Sequence, residues 1–343
     1  MKYHRKPQNN LEGVWMKTGK VPINVLKRSI IKEIKQKNTQ VLKGAGVGAD
    51  YALLRLKAPE DIVVTTNIYE APDKLMAALA VYKAGNNVAC SGAEPVAVTV
   101  SITLPAGFSE ASLKEYMKSM NEAAEKLQVE IAGGDTRISE HVQFPVLTVT
   151  GIGTVSVGNS MEERKVCAGQ ELVVSKWIGM EGALLIVGAK EEELQGRYPY
   201  AMLDRIKAME HEMTVLLEAA TAVKSDVSAM HDLSEGGILG GLWEFADKHG
   251  VGLEIDIKKI PVKQEIIEIC EYYELNPYAL RSGGSLLMAA NNGSNLVWEL
   301  NKLGIEASVI GRITEGNDRI ILNQEEKRYL DLPQADEIYK MKF

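Results

Sequence analysis

The stretch from residue 61 to residue 104 constrains the fold more than any other. It reads DIVVTTNIYE, then DKLMAALAVYKAGNNV, then VAVTVSITL. The first and last pieces are rich in β-branched residues, which suit extended backbone. Between them, Leu75, Met76, Leu79 and Tyr82 recur at helical spacing. A strand, a helix and a strand in succession place the first half in the α/β or α+β class. The pattern continues. A helix capped by Ser109 carries the stripe Leu113, Tyr116, Met117, Met120 and Leu127. VEIAGGDT is expected as a short strand ending in a loop, and QFPVLTVTGIGTV as a long strand.

Length sets the domain count. At 343 residues the chain suits two domains. The polar segment 157–170 is the expected boundary, giving domains at 17–156 and 168–325, a polar extension at 1–16 and a tail at 326–343. In the second half, ELVVSKW, GLEIDI, SLLMAA and ASVIGRI read as strands. A long helix is expected across the Met202–Val223 region, and another from ILGGLWEFADKH to a terminating Gly250.

Charge and cysteine content exclude several function classes. The formal net charge is -7 and no long basic run exists, so nucleic-acid binding through phosphate neutralisation is not expected. Three cysteines without a C-x-x-C pair argue against a disulfide framework or a cysteine zinc site, and fit a reducing, cytoplasmic setting. No apolar run approaches the length of a membrane span.

Five stretches offer chemistry. GAGVGADYALL, at 44–54, sets Gly46 and Gly48 before a strand and ends its turn on Asp50. Such glycines serve either an ordinary turn or a backbone that approaches phosphate closely. TTNIYE places Asn67 at a strand end, and AGNNVACSGAEP places Asn86 and Asn87 at a helix end. In IAGGDTRIS, Gly133 and Gly134 allow close approach, while Asp135 and Thr136 offer hard oxygens. Asp50, Asn67, Asn87 and Asp135, if gathered at one sheet edge, would make an oxygen-rich site for Mg²⁺ and a nucleotide's phosphates. In MHDLSEGGILGG, His231 can move protons near neutral pH. Asp232 stands beside it, and Gly236 and Gly237 open a helix whose N-terminus suits an anion. The alternative there is a Ser234 cap with glycines for helix packing. SKWIGMEG and RSGGSLL are further glycine turns of the same kind.

The ordered set resembles the superfamily of aminoimidazole ribonucleotide synthase. Its relatives include the hydrogenase-maturation protein HypE, selenophosphate synthetase and thiamine monophosphate kinase. GVGADYALL is similar to G-x-G-[ED]-D-A-A-V-L, TTN to T-T-D, NNVACSGAEP to N-D-[IL]-A-x-x-G-A-x-P, and AGGDT to G-G-[DH]-T. MEGALL, MHDLSEGGILGGLWEFA and SGGSLLMAA look most like HypE-like proteins. The resemblance implies a two-domain fold whose N-terminal sheets pair across a homodimer into a barrel. It implies ATP and Mg²⁺ facing an interdomain cleft, a small amide or carboxylate-type substrate, and a possible maturation-protein partner. By position it implies Asp135, His231 and Asp232 as catalytic residues. Gly46, Gly48, Asn86, Gly133, Gly134, Thr136, Gly236 and Gly237 would bind the cofactor, and Asp50, Asn67, Asn87 and Asp135 the metal. This chain has Asn67, Asn87 and Ala49 where the pattern has acids, and no cysteine follows Cys270. A non-catalytic ligand-binding role on the same scaffold is the alternative expectation.

Overall fold

A computed structural model describes residues 19–20, 25–35, 37–43, 45, 53–54 and 60–341. Gly46, Gly48 and Asp50 lie outside the described residues.

The first half is one five-stranded sheet with two helices on one face. Its elements are β1 (Gly19–Lys20), β2 (Val41–Lys43), β3 (Leu53–Leu54), β4 (Glu60–Glu70), α1 (Lys74–Ala89), β5 (Glu94–Pro105), α2 (Glu110–Lys126), β6 (Glu130–Ser139) and β7 (Val146–Ser156). The strand order is β1-β6-β5-β7-β4, with β2 and β3 paired separately. β5 and β6 are parallel, joined through α2, and the other pairs are antiparallel.

α1 forms because Asp73 accepts a hydrogen bond from the Met76 N–H and caps its first turn. Ala77, Ala78, Ala80 and Ala84 then give it a small-residue face buried on the sheet. That face lies unusually close to β7. A side chain at Gly151 would stand 2.6 Å from the Ala84 carbonyl oxygen, and one at Gly153 would meet Val88 at 2.4 Å. This close approach presses the last turns of α1, with both asparagines, onto the sheet.

β4 alternates as a strand with one covered face must. Tyr69 is buried, whereas Ile62, Val64 and Ile68 on the opposite face are 57%, 62% and 72% exposed.

The second half holds β8 (Glu171–Ser175), α3 (Met180–Gln195), α4 (Tyr200–Ala208), α5 (Leu216–Lys224), β9 (Val227–Leu233), α6 (Gly237–His249), β10 (Gly252–Asp256), α7 (Gln264–Tyr272), β11 (Ser285–Ala290), α8 (Gly293–Lys302), β12 (Ala307–Thr314), β13 (Arg319–Asn323) and β14 (Glu326–Tyr329). Its sheet runs β14-β13-β10-β12-β8-β11-β9. The main hydrophobic cluster crosses between the halves, packing Leu79 and Tyr82 of the first with Met180, Leu184 and Met213 of the second. Among the described residues no helix is long and apolar enough to cross a membrane.

Three expectations need correction. AGGDT is not a loop: β6 runs through it to Ser139. The pairing with β5 slips at Val98/Thr99, and Gly134 passes so near the Val100 carbonyl oxygen that a side chain there would lie 1.8 Å away. The glycine thus serves strand pairing. The long helix over Met202–Val223 is two helices, α4 and α5, around a 3₁₀ turn at Met209–Glu212. The break is held open by side chains. Lys176 donates to the Glu212 and Thr214 carbonyls, and Asn86 takes the Met213 and Val215 backbone. The segment set apart as a tail is also structured: β14 extends the second sheet, Asp336 accepts the Gly236 N–H, and Ile338 joins the main hydrophobic cluster.

Candidate functional site between the two domains

The two adjacent asparagines do different work, because successive residues on a helix point about 100° apart. Asn87 faces the sheet. Its Nδ2 donates to Asn67 Oδ1 at 3.1 Å and lies 3.5 Å from Thr65 Oγ1. Asn67 Nδ2 is buried without a hydrogen-bond partner. Asn86 faces the second domain. Its Nδ2 donates to the Met213 carbonyl at 2.9 Å and its Oδ1 accepts the Val215 N–H at 3.0 Å. Asn86 therefore stitches the domains through both ends of its amide while lining the cleft between them.

Asp135 does not join Asn67 and Asn87 within one chain. Asp135 is level with Ser101, Thr148 and Ile68, so it shares their open face. Asn67 is level with Val149, Val100 and Gly134, on the helix-covered face. The two residues are also three strands apart, roughly 14 Å at the usual spacing. Asp135 is exposed and pairs with Arg137 at 3.1 Å. Gly133 has open space around it, and Thr136 follows within the same strand. Among the described residues no three His, Cys, Asp or Glu side chains group as a metal site. The Asn67–Asn87 pair is neutral and offers a free N–H, so it suits a phosphate oxygen better than Mg²⁺.

A second, charged group fills the seam between the domains. β9 ends on His231, Asp232 and Leu233, β4 contributes Tyr69, α1 contributes Lys83 and Asn86, and the first turn of α3 contributes Glu181. Tyr69 donates to Glu181 Oε1 at 2.9 Å. Burial first, then the Glu181 charge, push the Tyr69 hydroxyl well above its usual range, so it stays a donor. Arg281 Nη1 lies 3.4 Å from Glu181 Oε1, and Nη2 lies 3.3 Å from Glu235. Asp232 is 8% exposed, and its Oδ1 has no hydrogen-bond partner. Burial lifts its carboxyl to about 6; Glu181 pushes in the same direction, while Lys83, His231 and Asn86 pull it back. A carboxylate near 6 is suited to taking a proton at neutral pH. His231 places Nε2 3.3 Å from Glu244 Oε2, and that contact holds Glu244 below the usual carboxylate range.

The start of α6 is already satisfied by the chain itself. Gly236 and Gly237 adopt left-handed φ of 82° and 61°. Asp336 Oδ2 accepts the Gly236 N–H at 2.6 Å, and its Oδ1 accepts from Arg281 and Ile338. A side chain at Gly237 would meet the Tyr278 carbonyl oxygen at 2.6 Å. The expected anion seat at Gly236 and Gly237 thus holds an internal carboxylate, and Ser234 supplies its carbonyl rather than a side-chain cap. Gly179 N–H similarly goes to Ser282 Oγ at 2.9 Å, and Gly283 N–H to Glu181.

Sequence reasoning missed Tyr69, Lys83, Glu181, Arg281 and Asp336. The glycine turns beside Glu181 and Arg281 were visible, but nothing local marks two distant turns as neighbours.

The N-terminal domain model described as AIR synthase related protein matches residues 48–155, and the corresponding C-terminal domain model matches 168–323. The chain is 28% identical over 333 residues to the putative hydrogenase expression/formation protein MJ0676 of Methanocaldococcus jannaschii, covering 93% of this chain and 96% of that one. It is 28% identical over 279 residues to carbamoyl dehydratase HypE of Cupriavidus necator, covering 78% and 77%. A crystal structure of hydrogenase maturation protein HypE in complex with ATP superposes with a TM-score of 0.76 at 19% identity, over 92% of this chain and 96% of that one.

Proposed function

The chain belongs to the AIR synthase related protein family, and from that premise we propose that it uses ATP with Mg²⁺ to activate a small amide or carboxylate-type substrate at the seam between its domains. The observation that carries this reading is Asp232: a buried carboxyl lifted to about 6, with one oxygen open, where the two halves meet. The similarity to a carbamoyl dehydratase and to a HypE crystallised in complex with ATP supports it. ATP, when bound, supplies the phosphoryl group that makes the substrate oxygen a leaving group.

The protein's own residues then do the following. Asp232 takes a proton from the substrate. His231, held by Glu244 on the other face of β9, supports the Asp232 carboxylate through charge rather than contact. Asn67 and Asn87 direct amide N–H groups toward phosphate oxygens, while Gly133, Gly134 and Thr136 lie three strands away on β6 and would reach the same nucleotide only across a homodimer. The amides bring no charge, so a Mg²⁺ would come with the nucleotide, and Asp50 and Asp135, the latter reached across the homodimer, would supply its carboxylates.

A homodimer belongs to the same proposal. The open face of the first sheet carries Ile62, Val64 and Ile68 exposed on edge strand β4, and a second copy would cover them. The relatives named for hydrogenase maturation also support a maturation-protein partner, and a cytoplasmic setting rests on the three free cysteines. The test is calorimetry with ATP and Mg²⁺, followed by measurement of ADP release. Absence of heat at millimolar nucleotide ends the reading.

The neutral Asn67–Asn87 pair favours one alternative, a nucleotide-binding protein without turnover. Steady ADP release by the unaltered protein, lost in Asp232→Asn, excludes it.

A further inference from the structure

We infer that the second domain carries a binding site of its own for a small, flat aromatic anion, with the ring against Trp177 and the charge on Lys258 and Lys259.

The site is a cavity of about 750 Å³, a size that suits a small-molecule ligand. Every residue on its walls belongs to the second domain, so it is separate from the seam where Tyr69, Glu181 and Asp232 meet. Trp177 stands just past the end of β8, half-buried, and its backbone is tethered on both sides. The Ser285 hydroxyl donates to the Trp177 carbonyl at 2.7 Å, and the next N–H, that of Ile178, goes to the Pro261 carbonyl at 3.0 Å. The second bond also ties the turn carrying Lys258 and Lys259 to the strand end. Ring and lysines are thus set beside one another before any ligand arrives, which lowers the cost of ordering them.

Charge selects the ligand. Among the described residues no acidic side chain lines the cavity. The two nearby acids each have a lysine already: Asp256 lies 4.0 Å from Lys259, and Glu212 lies 3.9 Å from Lys263, whose ammonium is 5.2 Å from the centre of the Trp177 ring. Lys258 is left over. Among the described residues its side chain, like those of Tyr278, Ser294 and Ser308 on the same walls, has neither an ion pair nor a hydrogen bond. A cation would meet surplus positive charge here, and a neutral ligand would leave Lys258 unused. A carboxylate or phosphate takes the ammonium and the hydroxyls together. The remaining lining, which includes Val297 and Val309, is apolar, and a flat ring fits the face or edge of an indole better than an alkyl chain does.

The test is NMR of the tryptophan indole N–H groups in the full chain, with naphthoate as the probe and the uncharged naphthalenemethanol as its control. The chain has 4 tryptophans, and the signal missing in Trp177→Phe identifies the one at the cavity. Naphthoate at millimolar concentration should shift the Trp177 signal selectively. The double variant Lys258→Ala, Lys259→Ala should bind it about fivefold to tenfold more weakly, as for two exposed charge pairs lost, and Lys258→Arg, Lys259→Arg should keep the affinity. Both lysines are exposed, so the variants retain the fold. The control should bind the wild type and the alanine variant equally. No shift at Trp177, a shift shared alike by all the indoles, or equal naphthoate affinity in the wild type and the alanine variant overturns the inference.

Discussion

The side-chain oxygen of Asn86 accepts the backbone N–H of Val215 at 3.0 Å, while its amide donates to the Met213 carbonyl two residues earlier. One side chain of the first domain thus satisfies both orphan backbone groups at a helix break in the second. A buried backbone group left without a partner costs about 1–3 kcal/mol. Asn86→Ala should therefore destabilise the protein by roughly 2–6 kcal/mol, two such groups being exposed to loss. Urea denaturation measures this, and a change below about 0.5 kcal/mol would show that Asn86 is not the stitch.

Gly133 and Gly134 are adjacent but differ in what they tolerate. A methyl at Gly134 would collide with the Val100 carbonyl oxygen, whereas one at Gly133 meets nothing within 4 Å. Gly134→Ala should lower the melting temperature sharply. Gly133→Ala should fold as the wild type yet bind ATP at least about tenfold more weakly if phosphate lies against it. Equal ATP affinity in Gly133→Ala and wild type would remove that glycine from the nucleotide site.

Asp232 links stability to pH. Its folded value of about 6 lies above the usual carboxyl value of 3.8. The protonated form is thus favoured in the folded state. The resulting stabilisation is complete below about pH 4 and is lost as pH rises through about 6. Asp232→Asn removes this dependence and should be the more stable form at pH 7, by something on the order of 2–3 kcal/mol. Denaturation midpoints at pH 5 and pH 7 test it: a wild type with the same Asp232-dependent difference at both would contradict the assignment. Turnover should fall in the same variant, because an amide cannot take a proton.

Ile68 is 72% exposed on the open sheet face, level with Thr148, Ser101 and Asp135. Ile68→Lys places a charge where a second copy would press. Light scattering should report a dimer for the wild type and a monomer for the variant at micromolar concentration. An unaltered mass in the variant would argue for another contact surface.

The architecture was legible because most of its signals are local. Ser109 caps its helix, Gly250 ends α6 in a left-handed turn, and the strand segments from DIVVTTNI to ASVIGRI appear where alternation and β-branching place them. GGDT misled because glycine pairs with turn chemistry more often than with strand slippage, and only the Val100 carbonyl shows why it is strand here. The helix over Met202–Val223 misled for a related reason. Its apolar spacing is unbroken, and what interrupts it arrives from Asn86 and Lys176, far away in sequence. Of the expected metal group, Asn67 and Asn87 do meet. Asp135 does not, because parity along a strand fixes which face a residue takes, and sequence spacing between different strands carries no parity.

The Asp336 carboxylate rests on the N–H of Gly236, the residue that leads into α6. Any phosphate or carboxylate arriving at that helix end must exchange with it. The affinity measured there is consequently a difference between two anions, and a weak apparent constant would conceal a strong intrinsic one.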